Sequence, residues 1–379
     1  MRHHDINEGL DFVVPPESFN LYSEFELLQY SLGATLYMPG TKKITEKILS
    51  GIPDVKSIVL CFEDAIRESE LEQAEANVLY HLNTVSKAVK EGSLNVDDIP
   101  LTFLRVRNTE QFNRFTASLN AENAAFLSGF VFPKFYSNNA ESYLSTLSMM
   151  REKLGDHIYG MPILEGKSIA FKETRNGELL ALKSILDGYL DSILNIRVGG
   201  TDFSALFGVR RGINYSIYDI STVRDCLSDI LNFFSRVDSF LVSGPVWEYF
   251  LAYKDDDLRK IGQEDFHHSV LNRKIIVNEA IDGLLREVIL DKANGFVGKT
   301  IIHPSHARFV NSLQAVTREE YDDANQILSA EGGVVKSEKS NKMNEINPHT
   351  SWAKKVISRS RAFGVIENDI SYLKLLSKI

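Results

Sequence analysis

The chain has 379 residues, of which 44% are hydrophobic and 25% are charged, and its formal net charge is -9 at pH 7. This composition is typical of a globular protein with enough apolar material for one large domain or two. The acidic balance argues against nucleic acid or an anionic membrane surface as a partner. No apolar stretch approaches the length of a signal peptide or a membrane span, so we expect a cytoplasmic protein.

Short apolar runs recur along the chain at spacings too long for hairpins. The runs cover residues 34–40, 57–64, 101–108, 129–135, 159–166, 194–202, 239–244 and 299–305. Continuous apolar runs favour parallel strands that are covered on both faces, and the polar segments between them have helical spacing. Eight strands that alternate with helices predict an α/β fold, the (β/α)8 or TIM barrel.

The pattern changes near the C-terminus. Residues 317–333 and the segment from Ser351 onward have helical spacing, and a polar loop is expected between them. We therefore divide the chain into an N-terminal extension (1–30), a barrel (31–313) and a C-terminal helical extension (314–379). The last segment is interpreted as a lid or as an arm that contacts another subunit.

Polar side chains follow the predicted strands at the point where each strand ends. They are Glu63, Asp64, Arg105, Arg107, Lys134, Glu165, Asp202, Ser243 and His303. Because a barrel brings the C-terminal ends of its strands to one face, these residues are expected to share a single pocket.

Two of these strand-end residues form a candidate metal site. Glu165 and Asp202 follow adjacent strands, and two carboxylates in one cleft repel each other unless a cation or a proton intervenes. Mg²⁺ typically takes one or two carboxylates and fills its other positions with water and substrate oxygens. The alternative is an Asp202 carboxylate paired with Arg197, Arg210 or Arg211.

Arg105 and Arg107 form a candidate site for an anionic substrate. They lie two residues apart, so in an extended strand they share one face. An arginine fork binds a carboxylate or phosphate through two hydrogen bonds. The alternative is that either arginine pairs with Glu63, Asp64 or another strand-end acid.

The remaining candidates have less specific roles. Lys134 either stabilises negative charge on the substrate or pairs with Glu165. Asp64 either takes part in the chemistry or caps the following helix. Gly200 and Thr201, which precede the second metal-binding acid, are expected to contact the substrate, since glycine allows a close approach there.

Seven motifs occur in an order that resembles a known superfamily. They are "LYMPG", "VLCFEDAI", "LRVRN", "FPK", "PILEG", "VGGTDFSALFG" and "GKTIIHPSH", within residues 33–313. The set resembles the citrate lyase β-subunit-like and HpcH/HpaI aldolase superfamily, and it is most similar to a divergent branch of carbon–carbon bond lyases. The resemblance implies Mg²⁺-dependent lyase chemistry on a TIM barrel.

The resemblance also implies roles for individual residues. The metal-binding acids of the superfamily fall on Glu165 and Asp202, and the arginine that binds the substrate carboxylate falls on Arg105. The acidic motif falls on Glu63 and Asp64, which are thus candidate catalytic residues. Asp64, a metal-bound hydroxide and a tail residue remain alternatives for the general base.

Two positions depart from the superfamily pattern. Arg107 stands where relatives commonly have Asn, which implies a more anionic substrate. Many relatives have a tail motif, Met-hydrophobic-Asp-x-Pro, whose aspartate enters a neighbouring subunit's site. Here "KMNEINP" offers Glu345, with an extra residue before the proline.

The sequence and the resemblance together predict a Mg²⁺-dependent lyase acting on a carboxylated hydroxy acid or its thioester, in the direction of cleavage or condensation. The expected partners are a small carboxylated substrate, acyl-CoA in some relatives, and further copies of the chain in a trimer or a multiple of it. Two alternatives remain: a phosphoenolpyruvate-type enzyme on a related barrel, and a non-catalytic ligand-binding or assembly barrel.

Overall fold

The computed structural model describes residues 1–4, 12–237, 239–252, 266–272, 276–336 and 343–377. The strands of the main sheet are β1 (Ala34–Pro39), β2 (Ser57–Cys61), β3 (Leu101–Arg105), β4 (Leu127–Phe132), β5 (Tyr159–Leu164), β6 (Arg197–Val198) and β7 (Lys299–Ile301). All neighbours are parallel, in the order β6-β5-β4-β3-β2-β1-β7. Outside this sheet lie β8 (Val316–Thr317), β9 (Val334–Lys336), β10 (Met343–Glu345) and β11 (Val365–Ile366).

Helices follow most strands and cover the outside of the sheet. They are α1 (Phe25–Ser31), α2 (Thr45–Ser50), α3 (Leu71–Lys90), α4 (Thr109–Thr116), α5 (Ala140–Leu154), α6 (Lys167–Ala170), α7 (Lys172–Leu186), α8 (Gly200–Leu206), α9 (Ser221–Phe234), α10 (Phe266–Leu271), α11 (Glu279–Asn294), α12 (His306–Gln314), α13 (Arg318–Ser329), α14 (Ile346–Phe363) and α15 (Ser371–Ser377). Within the described ranges, none of these helices has the length and apolarity needed to cross a membrane.

The strands form where the sequence is continuously apolar. Every residue of β2, β4 and β5 is buried, as expected of parallel strands that pack against helices on one face and the barrel interior on the other. Helix α3 buries Ala74, Val78, Leu82 and Val85, which recur at the spacing of one helix face. This arrangement confirms the predicted α/β barrel with a C-terminal helical extension.

The regular sheet has a gap between β6 and β7, and residues 241–244 bridge it. These residues belong to a predicted strand, but they form only isolated parallel bridges, between Ile196 and Val242 and between Gly244 and Lys299. The barrel therefore closes through a few backbone hydrogen bonds at this point instead of a full ladder.

The C-terminal extension packs beside the barrel around a small second core. Strand β8 pairs in parallel with β11, and α13 packs against α14. The segment predicted as a polar loop contains β9 and β10, which pair with Val334 opposite Glu345; residues 337–342 lie outside the described residues. Pairing satisfies backbone groups that an open loop would leave to water.

Glu320 connects this extension to the barrel. Its carboxylate lies 3.6 Å from Lys292 Nζ on α11 and 3.4 Å from Arg359 Nη2 on α14. It also accepts a hydrogen bond from the backbone N–H of Thr317, in a capping box at the start of α13. Burial alone raises the pKa of Glu320, but Lys292 and Arg359 lower it to about 2.

We expect Glu320→Gln to lower the free energy of unfolding at pH 7. The loss should be smaller at acidic pH. A carboxylate whose pKa is about 2 in the folded state, against 4.5 as its ordinary value, stabilises the fold above pH 4.5 and loses this effect as the pH falls toward 2. Urea unfolding at pH 7, 5 and 4 measures the free energy of unfolding of the variant and the wild type. The difference between the two should become smaller below about pH 5. Glu331→Gln, at an exposed position of the same extension, is the control. An equal loss at every pH would contradict the assignment.

Candidate active site

A cavity of about 590 Å³ lies at the C-terminal ends of the barrel strands. Six residues predicted from the sequence line it: Asp64, Arg105, Glu165, Gly200, Thr201 and Asp202. They come from segments that are up to 138 positions apart along the chain (202 minus 64). The fold brings them together because the strands are parallel and their C-terminal ends meet at one face.

Glu165 and Asp202 form the acidic centre of this cavity. Glu165 follows β5 and is 4% exposed, Asp202 lies in the first turn of α8, and both carboxylates lie beside Gly199. Burial, followed by the charge of Asp202, raises the pKa of Glu165 to about 8. Burial and Asp64 also raise the pKa of Asp202. The pair therefore needs a shared proton or a cation at neutral pH.

The close approach of these two acids depends on Gly199. A Cβ atom at this position would lie 2.5 Å from Glu165 Oε2 and 3.0 Å from Asp202 Oδ2. Any side chain there would push the carboxylates out of place. The first glycine of the "VGGTD" motif is therefore required by the geometry of the acid pair.

The donor set suits a hard divalent cation. Two carboxylates with room for water and substrate oxygens are what Mg²⁺ usually takes from a protein. Among the described residues, no group of three His, Cys, Asp or Glu side chains is arranged to hold a metal, so a fully protein-enclosed site is not formed there. Nor does any cation in those residues lie within ion-pair distance of Asp202, which removes the alternative of an arginine counter-ion.

Arg105, the last residue of β3, is held by an acidic cluster. Its Nη2 lies 2.7 Å from Glu63 Oε2 and 3.4 Å from Asp64 Oδ2, and its Nε donates to Cys61 Sγ at 3.1 Å. Burial opposes the charge of Arg105, but Cys61 and Glu63 raise its pKa. The guanidinium is therefore charged and fixed in orientation. Asp64 faces this cluster and does not cap α3.

Lys134 links this cluster to the pair Glu165 and Asp202. Its backbone N–H donates to Glu165 Oε1 at 2.8 Å, while its Nζ contacts Glu63 and lies 3.3 Å from Asp64 Oδ1. Its φ of +46° is in the left-handed region, which costs a non-glycine residue about 1–3 kcal/mol. This conformation allows one residue to hold both acid groups, the backbone on one side and the ammonium on the other.

Arg107 and Glu345 do not line the cavity. Arg107 Nη2 lies 2.6 Å from Glu68 Oε2, and its Nη1 donates to the carbonyl of Phe62 at 3.0 Å. Glu345 is exposed at the end of β10. The substrate-binding role of Arg107 and the catalytic role of Glu345 in a neighbouring subunit stay predictions.

His303 lies next to the cavity-lining residue Ile302. Its Nδ1 is 2.6 Å from Ser305 Oγ, and its ring stacks on Phe250 with the ring centres 4.8 Å apart. Burial, followed by the charge of Lys42, lowers the pKa of His303. The histidine is therefore mostly neutral at pH 7, with one ring nitrogen committed to the serine.

Sequence reasoning considered Arg197 only as a counter-ion for Asp202. In the structure it lines the cavity and donates hydrogen bonds to Thr35 and Thr300 instead. Tyr37, which also lines the cavity, was not identified. The available signal for Arg197 was a charged residue in an otherwise apolar strand, directly before the glycines of the site.

The chain resembles solved structures at low sequence identity. CitE from Mycobacterium tuberculosis, in complex with magnesium, acetoacetate and coenzyme A, has a TM-score of 0.51 and 17% identity, and the match covers 88% of this chain and 99% of CitE. Malate synthase from Haloferax volcanii has a TM-score of 0.47 and 12% identity, with 73% and 71% of the two chains covered. At 17% identity the likeness to CitE shows the fold alone.

Sequence comparison gives the family. No curated protein sequence matches the chain. Residues 26–365 match the family model described as carbon–carbon bond lyase of the TIM-barrel fold, in agreement with the resemblance of the ordered motifs. Because this match spans most of the barrel and the C-terminal extension, the chain belongs to the carbon–carbon bond lyases of the TIM-barrel fold.

Proposed function

We propose that the protein is a Mg²⁺-dependent lyase that cleaves a carboxylated hydroxy acid or its thioester by a retro-aldol or retro-Claisen reaction, or catalyses the reverse condensation. The observation that carries the proposal is the mutually repelling pair of the buried Glu165 and the half-buried Asp202 in one cavity with the charged Arg105. Membership of the carbon–carbon bond lyases supports the reaction class.

The residues of this cavity have separate roles in binding the metal and in orienting the substrate. Glu165 and Asp202 would hold Mg²⁺, which when bound supplies Lewis-acid stabilisation of negative charge that develops on a substrate oxygen. Arg105 presents its guanidinium to the substrate carboxylate, and Glu63 fixes the plane of that group. Gly200 allows the substrate to approach the backbone closely.

Asp64 is the proposed acceptor of the substrate hydroxyl proton. It lines the cavity, and its side chain is 53% exposed, so a substrate can reach it. Burial alone raises the pKa of Asp64, but its hydrogen bond with Glu63 and the charge of Arg105 bring the value below the ordinary one. The carboxylate is therefore ionised and able to accept a proton at neutral pH.

The ligands of a structurally similar protein suggest the substrate class. CitE from M. tuberculosis was solved with magnesium, acetoacetate and coenzyme A, and we extend the metal, the small carboxylate and the acyl-CoA thioester to this chain as part of the proposal. The cytoplasmic location, the trimeric assembly and the role of residues 314–379 as a lid or arm stay predictions.

Calorimetric titration of Mg²⁺, followed by oxaloacetate, pyruvate, malate, acetyl-CoA and malyl-CoA, tests the proposal. We expect Asp202→Asn to weaken Mg²⁺ binding by more than the roughly 10–100-fold that loss of an outer-shell partner costs, because it removes a direct ligand. Asp191→Asn, at an exposed acid, is the matched control and should bind as the wild type does.

Product analysis of the same mixtures separates the alternatives. Carbon–carbon cleavage or condensation that requires both Mg²⁺ and Asp202 supports the proposal. Release of phosphate from a phosphoenolpyruvate-type substrate would instead favour the phosphoryl chemistry of a related barrel. Metal and ligand binding without turnover of any compound would favour a non-catalytic barrel.

A further inference from the structure

Arg197 is a buried cation at the cavity, and no carboxylate among the described residues pairs with it. The residue is 1% exposed and lines the cavity. Burial lowers the pKa of Arg197, since charge is unfavourable where water is excluded. A buried charge without a counter-ion costs several kcal/mol of stability, so its presence at a cavity wall indicates that a ligand supplies the counter-ion.

The guanidinium of Arg197 has hydrogen-bonding capacity to spare. Its Nη1 donates to Thr35 Oγ1 at 3.3 Å and its Nη2 donates to Thr300 Oγ1 at 2.7 Å. Its Nε is buried and has no hydrogen-bond partner. A guanidinium carries five N–H donors, and the two threonine hydroxyls use two of them while they hold its plane. Three N–H donors, including the one on the buried Nε, are thus left without a hydrogen-bond partner among the described residues.

The two arginines of the cavity differ in how their charge is balanced. Arg105 and Arg197 flank the same ring, with their Cζ atoms 5.8 Å and 5.5 Å from the centre of Tyr37. Arg105 is paired with Glu63 and Asp64, whereas the polar partners of Arg197 within the described part of the chain are two threonine hydroxyls and the face of the ring. The cavity thus has one cation with balanced charge and one without, close enough together for a single small molecule to contact both.

Arg197 also reaches deeper into the barrel than Arg105. Its partners Thr35 and Thr300 are opposite each other in the register of β1 and β7. Arg197 is 1% exposed, against 11% for the side chain of Arg105. An anion bound to Arg197 therefore lies at a more buried point of the cavity than one bound to Arg105.

We propose that Arg197 forms a second carboxylate-binding subsite at the floor of the cavity, so that the substrate is a small dicarboxylate whose far end contacts Arg197, Thr35 and Thr300. This inference rests on the proposed function, in which the other end of the substrate binds at Arg105 and at the metal held by Glu165 and Asp202. It also explains why the strand before the glycine-rich loop contains a charged residue.

Calorimetry in the presence of Mg²⁺ tests the subsite with L-malate and L-lactate, which differ only in the second carboxylate. We expect the wild type to bind malate at least about tenfold more tightly than lactate, as a charge-assisted pair of hydrogen bonds provides. Arg197→Met should abolish this preference and leave lactate binding within about twofold, and Arg197→Lys should restore part of it.

The variant Asp202→Asn, titrated in parallel, separates this subsite from the metal assignment. A preference for malate that is lost in Arg197→Met but kept in Asp202→Asn supports the subsite and counts against the metal site. A preference that survives in Arg197→Met overturns the subsite, while loss of binding in Asp202→Asn would still support the proposed function. Failure of the wild type to bind malate also overturns the subsite.

Thermal melting provides a readout that a purely structural role would not share. If Arg197 were present to stabilise the fold, Arg197→Met would lower the melting temperature. A residue retained for a ligand should be replaceable by methionine with an unchanged or higher melting temperature in the absence of ligand, because an unbalanced buried charge is removed. A marked fall in the melting temperature of the unliganded variant would contradict the proposal.

Discussion

Arg105→Met is expected to lower kcat/KM by about 10²–10³-fold on the substrate that the ligand panel identifies, because it removes a preorganised charged donor from the cavity. The guanidinium is held by Glu63, Asp64 and Cys61, so it is in place before the substrate arrives. Steady-state kinetics at saturating Mg²⁺ measures the effect. Arg105→Lys should recover only part of the loss, since lysine keeps the charge but not the fork.

Arg107→Met is the matched control for this variant. It removes the same group two positions further along the chain, where the side chain pairs with Glu68 and does not line the cavity. We expect a much smaller change in kcat/KM than for Arg105→Met. Equal losses in the two variants would show that Arg107 also contacts the substrate, as the sequence predicted, and would contradict the division of roles drawn from the cavity. Melting curves establish that each variant is folded.

Lys299→Met is expected to lower the free energy of unfolding by about 3–5 kcal/mol, the range found when one partner of a buried ion pair is removed. Lys299 Nζ lies 2.9 Å from Glu287 Oε1 and 2.7 Å from Asp291 Oδ2, and all three side chains are buried between β7 and α11. Without the lysine, Glu287 keeps Arg211 as a partner, but the side chain of Asp291 retains, among the residues that the structure describes, only the hydroxyl of Tyr218. Urea unfolding monitored by circular dichroism measures the loss.

A second substitution identifies the origin of this loss. Asp291→Asn, combined with Lys299→Met, removes the carboxylate that lacks a counter-ion and should recover part of the stability. Lys47→Met, at an exposed site on α2, should change the free energy of unfolding by less than about 0.5 kcal/mol. A Lys299→Met variant as stable as Lys47→Met would mean that water or a structural change compensates the buried acids.

The barrel was predictable because parallel strands buried on both faces leave continuous apolar runs in the sequence. All five residues of β2 are buried, and the strand is recognisable in the sequence as a continuous apolar run. Strand ends were less predictable. The predicted strand covers residues 57–64, whereas β2 ends at Cys61, and beyond this point the side chain of Glu63 contacts Arg105. The bridging residues 241–244 were read as an ordinary strand because sequence alone does not show how many ladder bonds form.

The site was predictable where its position depends on topology and unpredictable where it depends on side-chain direction. Placing Glu165 and Asp202 together required only the rule that parallel strands end at one face. The expectation that Arg105 and Arg107 share a face assumed an extended strand, but β3 ends at Arg105 and alternation no longer applies beyond it. Arg197 was read as a counter-ion, since sequence does not reveal which buried charges lack a partner.

The gap in the ladder between β6 and β7 forms a seam in the barrel, and the cavity-lining residues Arg197 and Thr300 lie on its two sides. Arg197 belongs to β6 on one side and Thr300 to β7 on the other, so their hydrogen bond crosses the gap. A ligand that contacts both residues would bind only to the closed barrel. By thermodynamic linkage, binding of the ligand would also stabilise the closed barrel, so that the barrel becomes more rigid as more of the protein is occupied by substrate.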